Sequence, residues 1–326
     1  NSEATNLKKR YYEYLCLLGK GEYGQVFKVM DRRNSQVSAV KVIDLEFFND
    51  NEIKFMQDIN HRNITNLIEV YYWEKRLYVI MELCVGGSLF GLCYKTGPLT
   101  EQEIAYITKQ CLQGLHNMHG KGYMHRDLKL ENILLTKAGE VKICDFGLVE
   151  KMENKTAVIV GTEITRAPEV SMAEERGSYD ERCDIWSLGI SVLDLAEYMS
   201  LLTYESDKSF VRAALTVDPA RRPTAEELLN HSFILNMQSR QRRLRRRVFS
   251  IQEHHKKHIS RDTETVMEAQ KNRPEKLHIS RETETVKVAK QRHPENQNIM
   301  QETETAKEFQ PNSPEKGKKR TNLHEK

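Results

Sequence analysis

The hydrophobic positions of this chain change their spacing along its length, and the change predicts two kinds of structure. Residues 14–18 and 25–30 are rich in β-forming side chains and flank a glycine-rich stretch, which predicts two strands joined in a hairpin. From Glu101 to His119 the apolar residues recur at helical spacing, at Ile104, Ile107, Cys111, Leu112, Leu115 and Met118. We expect these six side chains to be core positions of one long helix. The first part of the chain is thus predicted to be rich in strands and the second part to be mainly helical.

The apolar pattern ends near residue 236. Beyond Ser239 only two aromatic residues occur, and three twenty-residue repeats each contain a Thr-Glu-Thr and a Pro-Glu sequence. A fixed period can indicate a solenoid, but these repeats offer too little apolar surface to offset an ordering cost of about 1–2 kcal/mol per residue. We therefore expect residues 236–326 to form a basic, repeat-containing and disordered tail.

Charge is distributed unevenly between these two regions. Residues 240–326 contain 22 Lys and Arg against 13 Asp and Glu, a net charge of +9, whereas residues 1–239 carry −6. The basic tail predicts binding of an acidic or multivalent protein partner, or contact with the acidic part of the chain. The densest run holds six arginines within residues 240–247. It is open to three interpretations: a nuclear-import signal, a phosphate-binding stripe, or the solvated end of the last helix.

Composition also indicates a compartment. Six cysteines are scattered without the spacing of a metal site, which favours reduced thiols in an intracellular protein. No apolar run approaches the ~20 residues that span a bilayer, and no signal peptide is visible at the polar N-terminus. We therefore expect a cytoplasmic protein without a transmembrane segment, with the arginine run as a route for nuclear entry.

The glycine-rich stretch reads Gly-Lys-Gly-Glu-Tyr-Gly-Gln-Val over residues 19–26. A strand follows it rather than a helix, so it does not fit a Rossmann dinucleotide site. Glycines in a hairpin instead let backbone N–H groups close over phosphates. Lys41 lies on the next β-like run, where it can contact those phosphates, and Glu52 opens a helical pattern from which it can hold Lys41. Taken alone, Lys41 would be a solvated surface lysine.

A polar cluster further along the chain carries assignable chemistry. Residues 125–132 read His-Arg-Asp-Leu-Lys-Leu-Glu-Asn. Within them, Asp127 can accept the proton of an attacking hydroxyl, and Lys129 can neutralise a γ-phosphate. Asn132 can hold a metal ion, and Asp145, in a following Asp-Phe-Gly, would bind Mg²⁺ between the β- and γ-phosphates. Taken alone, Asp127 would be a surface carboxylate, so the partners of this cluster decide the interpretation.

With Ala-Pro-Glu at 167–169 the motifs are complete and in the order of a protein kinase, which the chain resembles. It is most similar to the germinal-centre branch of the sterile-twenty-like Ser/Thr kinases, and within that branch to the MAP kinase kinase kinase kinases. The branch resemblance rests on stretches within residues 96–106, 124–127 and 222–235. It implies an α+β, bilobal protein kinase fold over residues 12–235, with a β-rich N-lobe at 12–83 and a helical C-lobe at 85–235.

The resemblance also implies roles for individual side chains. Thr162 braces Asp127 and Lys129, and this lysine accompanies Ser/Thr specificity. Met81 is the gatekeeper, and the hinge that follows it binds adenine through backbone groups. The implied ATP-binding residues are Gly19, Lys20, Gly21, Glu22, Tyr23, Gly24, Val26, Ala39, Lys41, Met81, Glu82, Cys84 and Leu134.

Two structural assemblies follow from the same resemblance. One is an apolar column that joins the lobes, formed by Met56, Ile68, His125 and Phe146 and anchored on Asp184. The other is a buried ion pair between Glu169 and Arg222 in the helical lobe. In this interpretation His125 is a core imidazole and takes no part in the chemistry.

Regulation is predicted next to residues 125–132, which the resemblance identifies as the catalytic loop. Arg126 adjoins Asp127, and an unpaired cation beside the catalytic base is expected to attract an anion. Thr156 is the natural phosphoacceptor, because it is the only hydroxyl residue between Gly147 and Thr162. The alternative is an unmodified loop threonine.

Three departures from the group's pattern bear on activity. The helix that carries Glu52 is expected to be truncated at its start. Before Ala-Pro-Glu, Ile164 and Thr165 replace the usual aromatic pair, which affects peptide recognition just after the phosphoacceptor. Residues 198–210 are too short to supply the usual substrate-docking helix. We therefore expect a shortened substrate-docking region in the C-lobe.

The sequence thus predicts an ATP- and Mg²⁺-dependent Ser/Thr kinase of an upstream MAP-kinase-type cascade. Its partners would be protein substrates with Ser or Thr acceptors, and no specific binding of nucleic acid is expected. The alternative is a pseudokinase-like ATP-binding scaffold with impaired peptide phosphorylation. The intact catalytic residues favour the kinase, whereas the short docking region favours the scaffold.

Overall fold

A five-stranded antiparallel sheet carries the first part of the predicted site. Its strands lie in the order β1-β2-β3-β5-β4, and their bounds are β1 (Tyr12–Gly21), β2 (Gly24–Asp31), β3 (Val37–Asp44), β4 (Leu67–Trp73) and β5 (Arg76–Glu82). β1 and β2 form the hairpin that the spacing of glycines and β-formers predicted. The computed structural model describes residues 11–21, 24–197, 205–236 and 241–253.

One short helix, α1 (Asp50–Asp58), lies between β3 and β4. Asn49 caps it, because its side chain accepts the N–H of Asn51 at 3.0 Å and satisfies a donor that the helix leaves unpaired. The helix has nine residues and begins two residues before Glu52. This agrees with the truncated start that the sequence spacing predicted.

The second lobe is mainly helical. Its helices are α2 (Leu89–Thr96), α3 (Glu101–Gly120), α4 (Pro168–Ser171), α5 (Ala173–Arg176), α6 (Arg182–Glu197), α7 (Glu205–Ala214), α8 (Ala225–Leu229) and α9 (Ser232–Leu235). A capping box between Thr100 and Glu103 opens α3, and the six apolar positions predicted for its core are all buried. Within the described part of the chain, none of the helices has the length and apolar content needed to cross a membrane.

Two small sheets in this lobe position the polar loops. One contains β6 (Gly87–Ser88), β8 (Ile133–Leu135) and β9 (Val141–Ile143), and the other pairs β7 (Tyr123–Met124) with β10 (Glu150–Lys151). The catalytic loop lies between β7 and β8, and the Asp-Phe-Gly segment follows β9. A backbone bond of 3.0 Å from Cys144 to Asn132 joins the two segments. The pairings therefore bring the predicted proton acceptor and the predicted metal ligands to one place.

A helix beyond residue 235 corrects the predicted end of the ordered domain. Residues 241–253 form α10, although we expected the tail to begin at residue 236. Leu244 and Val248 of α10 are 0% and 1% exposed and belong to the main hydrophobic core. Their burial supplies the apolar contact that the sequence analysis did not find in this basic run. The rest of the predicted tail, with its repeats, lies outside the described residues.

One arginine of the basic run fastens α10 to the start of α3. Arg247 donates to the two carboxylate oxygens of Glu103 at 3.0 and 3.1 Å and to the carbonyl of Pro98 at 2.8 Å. The Glu103 side chain is only 2% exposed, so the pair is shielded from water and charge-assisted bonds of this kind are strong. A solvated helix end, one of the three interpretations of the run, therefore does not describe Arg247.

A buried ion pair joins two parts of the helical lobe that are distant in the sequence. Only 38 positions separate Asp184 from Arg222, yet Arg222 is fully buried and donates to the carboxylate oxygens of Glu169 at 2.5 and 3.0 Å. This is the ion pair that the resemblance implied. Residues 198–204, where the short docking region was predicted to begin, lie outside the described part of the chain.

Candidate active site

Lys41 is held between two carboxylates under the five-stranded sheet. It lies on β3, opposite Val26 of β2 and Val79 of β5. Its Nζ lies 2.7 Å from Glu52 Oε1 and 2.9 Å from Asp145 Oδ1. The Lys41 side chain is 8% exposed, so it is not the surface lysine that its sequence taken alone would suggest.

The two ion pairs of Lys41 change its pKa more than its burial does. Burial by itself would lower the pKa of a lysine, but the carboxylates of Asp145 and Glu52 raise the pKa of Lys41 above its usual value. Asp145 is half-exposed, but the protein around its carboxyl removes part of its water, which acts against its charge; the neighbouring Lys41 nevertheless lowers the pKa of that carboxyl. At Glu52 burial prevails and raises the pKa. Lys41 is therefore a fixed cation, as binding of phosphate oxygens requires.

Asp127, Lys129 and Thr162 form a closed set of hydrogen bonds. Thr162 donates to Asp127 Oδ1 from its hydroxyl at 2.7 Å and from its backbone N–H at 2.9 Å. Lys129 Nζ donates to Asp127 Oδ2 at 2.8 Å and to Thr162 Oγ1 at 2.6 Å. The side chains of Asp127 and Lys129 keep 13% and 25% exposure. The pair is thus oriented by Thr162 and still open to a substrate hydroxyl.

Asp184 holds the backbone of the catalytic loop. Its two carboxylate oxygens accept the N–H groups of His125 and Arg126, each at 2.8 Å. Arg126 has a φ of 71°, a left-handed conformation that is uncommon for a residue with a side chain. His119 Nε2 lies 2.9 Å from the same carboxylate, a contact that the sequence analysis missed because no motif includes His119. The buried carboxylate therefore stabilises a strained loop.

Gly161 is needed for the contact between Thr162 and Asp127. Its φ is +83°, and a Cβ at this position would lie 2.2 Å from the carbonyl oxygen of Arg126. Any other residue would force the segment that carries Thr162 away from the catalytic loop. The glycine therefore places Thr162 within hydrogen-bonding distance of Asp127.

Asn132 and Asp145 present oxygen donors suited to a metal ion. The Nδ2 of Asn132 donates to the Asp127 carbonyl at 2.9 Å and to the Asp127 carboxylate at 3.2 Å. The other polar atom of the Asn132 side chain, Oδ1, is the one that could bind a metal ion. The Asp145 side chain is 50% exposed. The described residues contain no group of three or more His, Cys, Asp and Glu that could hold a metal unaided. This donor set fits Mg²⁺, which takes a few protein oxygens and completes its shell with water and phosphates.

The glycines of residues 19–26 serve different purposes. A Cβ on Gly24 would lie 2.3 Å from a backbone oxygen of β3, so the sheet itself requires glycine there. Among the described residues, nothing lies within 4 Å of the Cβ position of Gly19, and only one atom, at 4.0 Å, approaches that of Gly21. The described residues thus leave room for a phosphate at these two positions, and Lys20 beside them is exposed. Two predicted residues of this loop lie outside the described part of the chain: Glu22 and Tyr23.

The remaining implied ATP contacts lie on β2, β3, β5 and β8 and in the hinge after β5. Four of these side chains are buried or half-buried: Val26, Ala39, Met81 and Leu134. In the hinge, the Glu82 N–H donates to the Asn66 carbonyl at 3.1 Å, and the Glu82 carboxylate lies 2.7 Å from Lys142 Nζ. Within the described residues no backbone carbonyl accepts the N–H of Cys84. That N–H is therefore available to an adenine ring.

The apolar column between the lobes differs from the expectation at one position. The ring of Phe146 lies 5.4 Å from that of His125 and 4.5 Å from that of Phe55, between centroids. Met56 is buried, but Ile68 is 40% exposed because it lies at an irregularity in the pairing of β4. The prediction for Ile68 is therefore wrong, and Phe55, which the sequence analysis did not select, packs against Phe146.

Arg126 is not the unpaired cation that we expected. Its Nε donates to the Leu148 carbonyl at 2.6 Å, and its Nη1 donates to the Tyr179 hydroxyl at 3.2 Å. Its Nη2 lies 3.7 Å from the carboxylate of Glu150, and the side chain is 6% exposed. The argument that Arg126 needs a phosphate on Thr156 therefore loses its premise.

Comparison with known proteins agrees with this geometry. The family profile described as "Protein kinase domain" matches residues 12–209. Human "Mitogen-activated protein kinase kinase kinase kinase 3" is 38% identical over 258 residues, covering 68% of this chain and 29% of that protein. "Serine/threonine-protein kinase ppk11" of Schizosaccharomyces pombe is 35% identical over 261 residues, covering 70% of this chain and 83% of that protein. The first of these similarities supports the resemblance to germinal-centre kinases.

The relatives differ from this chain in length. The chain spans only about 30% of the length of the rat and human MAP kinase kinase kinase kinase 3 proteins. The alignments extend over 258 and 261 positions but take in only 68% and 70% of this 326-residue chain. The relatives therefore contain residues without counterparts here.

Proposed function

The chain belongs to the protein kinase family, and on that premise we propose that it is an active Ser/Thr kinase that uses ATP to phosphorylate proteins. We also infer a place upstream in a MAP-kinase cascade. This second inference is supported by the similarity to a mammalian protein named as a mitogen-activated protein kinase kinase kinase kinase. The substrates and partners are proposals drawn from the kinase domain alone.

The observation that carries the proposal is the presence of two complete polar networks. In one, Lys41 contacts both Glu52 and Asp145, and in the other Asp127 contacts both Lys129 and Thr162. A binding scaffold needs no general base, so it has no physical reason to keep the second network. The pseudokinase-like alternative thus gains no support from the site.

The proposed reaction is an in-line displacement. Asp127 orients a Ser or Thr hydroxyl and accepts its proton while the hydroxyl oxygen bonds to the γ-phosphorus. The bond from that phosphorus to the bridging oxygen breaks, and ADP leaves. Lys41 holds the α- and β-phosphates and Lys129 neutralises the γ-phosphate. Mg²⁺, when bound by Asn132 and Asp145, would neutralise charge between the phosphates.

An assay of the purified chain with Mg²⁺-ATP and a generic basic protein tests this proposal. We expect phosphate on Ser or Thr with wild type, and a loss of roughly 100-fold or more with Asp127→Asn and with Lys41→Met. Asp127→Asn preserves the shape of the side chain, so its melting temperature should remain close to that of wild type. Equal phosphorylation by all three proteins would attribute the activity to a contaminant and refute the proposal.

A further inference from the structure

Two asparagines at the start of α1 donate hydrogen bonds to Asp-Phe-Gly and the segment that follows it. Asn49 Nδ2 donates to the carbonyl oxygens of Gly147 at 3.1 Å and Val149 at 3.0 Å. Asn51 Nδ2 donates to Glu150 Oε1 at 2.7 Å. The next residue of α1 is the glutamate that holds the ATP-site lysine. These bonds therefore fix the position of a carboxylate that the catalytic cleft depends on.

Glu150 connects these hydrogen bonds to the catalytic loop. It lies on β10 directly opposite Met124 of β7, and Met124 precedes Arg126 by two residues. Its Oε2 lies 3.7 Å from Arg126 Nη2, and its Oε1 also accepts from Asn154 Nδ2 at 2.6 Å. The side chains of Arg126 and Glu150 are 6% and 18% exposed. Water screens this pair weakly, so its attraction is stronger than that of a surface pair.

We propose that Glu150 is a built-in anion for Arg126 and that, with Asn49 and Asn51, it positions the catalytic groups without a phosphate on Thr156. A phosphate on an activation segment orders a kinase by pairing with cations. Here a carboxylate of the same segment already pairs with the arginine of the catalytic loop and is bonded to α1. This positioning role rests on the proposed kinase function.

Kinetics of Glu150→Gln, with Glu153→Gln as a matched control, test the proposal. Glu153 is three residues away, is 71% exposed and pairs with Lys151 at the surface. We expect Glu150→Gln to lower kcat roughly 10- to 100-fold, because small displacements of catalytic groups have effects of this size. Glu153→Gln and Thr156→Ala should both stay within about twofold of wild type, as should wild type treated with a phosphatase.

A split between kcat and KM separates positioning from loss of fold. Glu150 contacts Arg126, Asn51 and Asn154, and the proposal gives it no part in holding a peptide, so the KM for a peptide should stay within about twofold in Glu150→Gln while kcat falls. Glu150→Asp should recover part of the activity, and Asn51→Ala should reproduce the loss without a change in melting temperature. The proposal is overturned if Glu150→Gln matches Glu153→Gln, or if Thr156→Ala or the phosphatase lowers wild-type kcat tenfold. Wild-type activity no higher than that of Asp127→Asn would overturn the proposed function and this inference with it.

Discussion

Asp127 and Asp184 are two aspartates whose surroundings give them different tasks. Asp127 keeps 13% exposure and is bonded to a lysine and a threonine, so it can exchange a proton with a substrate hydroxyl. Asp184 is fully buried and accepts two backbone N–H groups, so it holds the shape of the loop. At the scale of single residues, burial and hydrogen-bond partners thus separate a chemical carboxylate from a structural one.

Asp184 gives a prediction for the dependence of stability on pH. Burial would raise its pKa, but His119 and the N–H of His125 lower the pKa below its usual value. The stability that this carboxylate contributes is therefore complete above the unfolded-state pKa of about 3.9 and is lost as pH falls through the lower folded-state pKa. Asp184→Asn should lower the free energy of unfolding by about 1–3 kcal/mol at pH 7.

Denaturant unfolding over a range of pH checks this sign. The difference between wild type and Asp184→Asn should shrink as the pH falls below about 4, because the unfolded wild-type chain then binds a proton at Asp184 that the folded protein binds only at lower pH. Asp180→Asn is a control, since the Asp180 side chain is 44% exposed. A difference that stays constant down to low pH would contradict the assignment of a charged Asp184.

Leu148 gives a prediction for the choice of acceptor. It directly follows Asp-Phe-Gly, and its carbonyl accepts from Arg126 at 2.6 Å. In kinases generally, a large residue without β-branching at this place goes with Ser, whereas a β-branched residue better accommodates the methyl group of an acceptor Thr. We expect wild type to prefer Ser and Leu148→Val to shift the ratio of kcat/KM toward Thr. Matched Ser and Thr peptides phosphorylated at equal rates by wild type would count against this.

At the scale of elements, α10 combines a basic surface with a small buried face. Leu244 and Val248 are four residues apart, so they lie on one side of the helix, and Arg247 beside them bonds to Glu103. Val248 reaches the hinge, where its Cγ2 lies 3.0 Å from the Cβ position of Gly86. The helix therefore belongs to the folded domain and supports the segment that would bind adenine.

Leu244→Ala tests the contribution of α10. Removing a fully buried leucine side chain should lower the free energy of unfolding by about 2–5 kcal/mol. Phe249→Ala on the same helix is the matched control, since Phe249 is 57% exposed and should change stability by no more than about 0.5 kcal/mol. Chains ending at residue 253 should keep the wild-type melting temperature, whereas chains ending at residue 240 should have a lower melting temperature. Equal melting of both truncated chains would show that α10 adds nothing.

At the scale of the whole molecule, the Glu169–Arg222 pair joins parts of the helical lobe that are distant in the sequence. Arg222 also donates to the carbonyls of Thr216 at 2.9 Å and Arg182 at 2.8 Å. One buried guanidinium therefore connects α4 with the start of α6 and with the loop after α7. Its multiple partners satisfy a charge that would otherwise be costly to bury.

Arg222→Ala should destabilise the domain by about 3–5 kcal/mol, because it leaves the buried Glu169 without its partner. This is a large share of the ~5–15 kcal/mol that stabilises a typical domain. Arg221→Ala is a suitable control, since the adjacent Arg221 is exposed. Thermal unfolding of the two variants measures the difference, and similar melting temperatures would contradict a central role for the pair.

The amino-acid sequence by itself determined the fold class and most of the candidate site. The glycine hairpin, the strand lysine Lys41 and the loop around Asp127 are recognisable because each needs particular residue types at short, fixed spacing. Helix α3 was equally predictable, since its apolar period directly records which face is buried. These features depend on local backbone geometry, which neighbouring residues in the chain decide.

Only the tertiary structure decided which distant partner each polar group meets. Arg126 meets Glu150 because β10 pairs with β7, which ends two residues before Arg126, and His119 reaches Asp184 because α3 packs against α6. Arg247 bonds to a residue 144 positions earlier in the chain. Such contacts have no local signature. The residues that neighbour an arginine in the sequence do not show whether its guanidinium is solvated by water or paired with a buried carboxylate. The long-range packing that brings two segments together therefore settles which charges are paired and which remain available for chemistry.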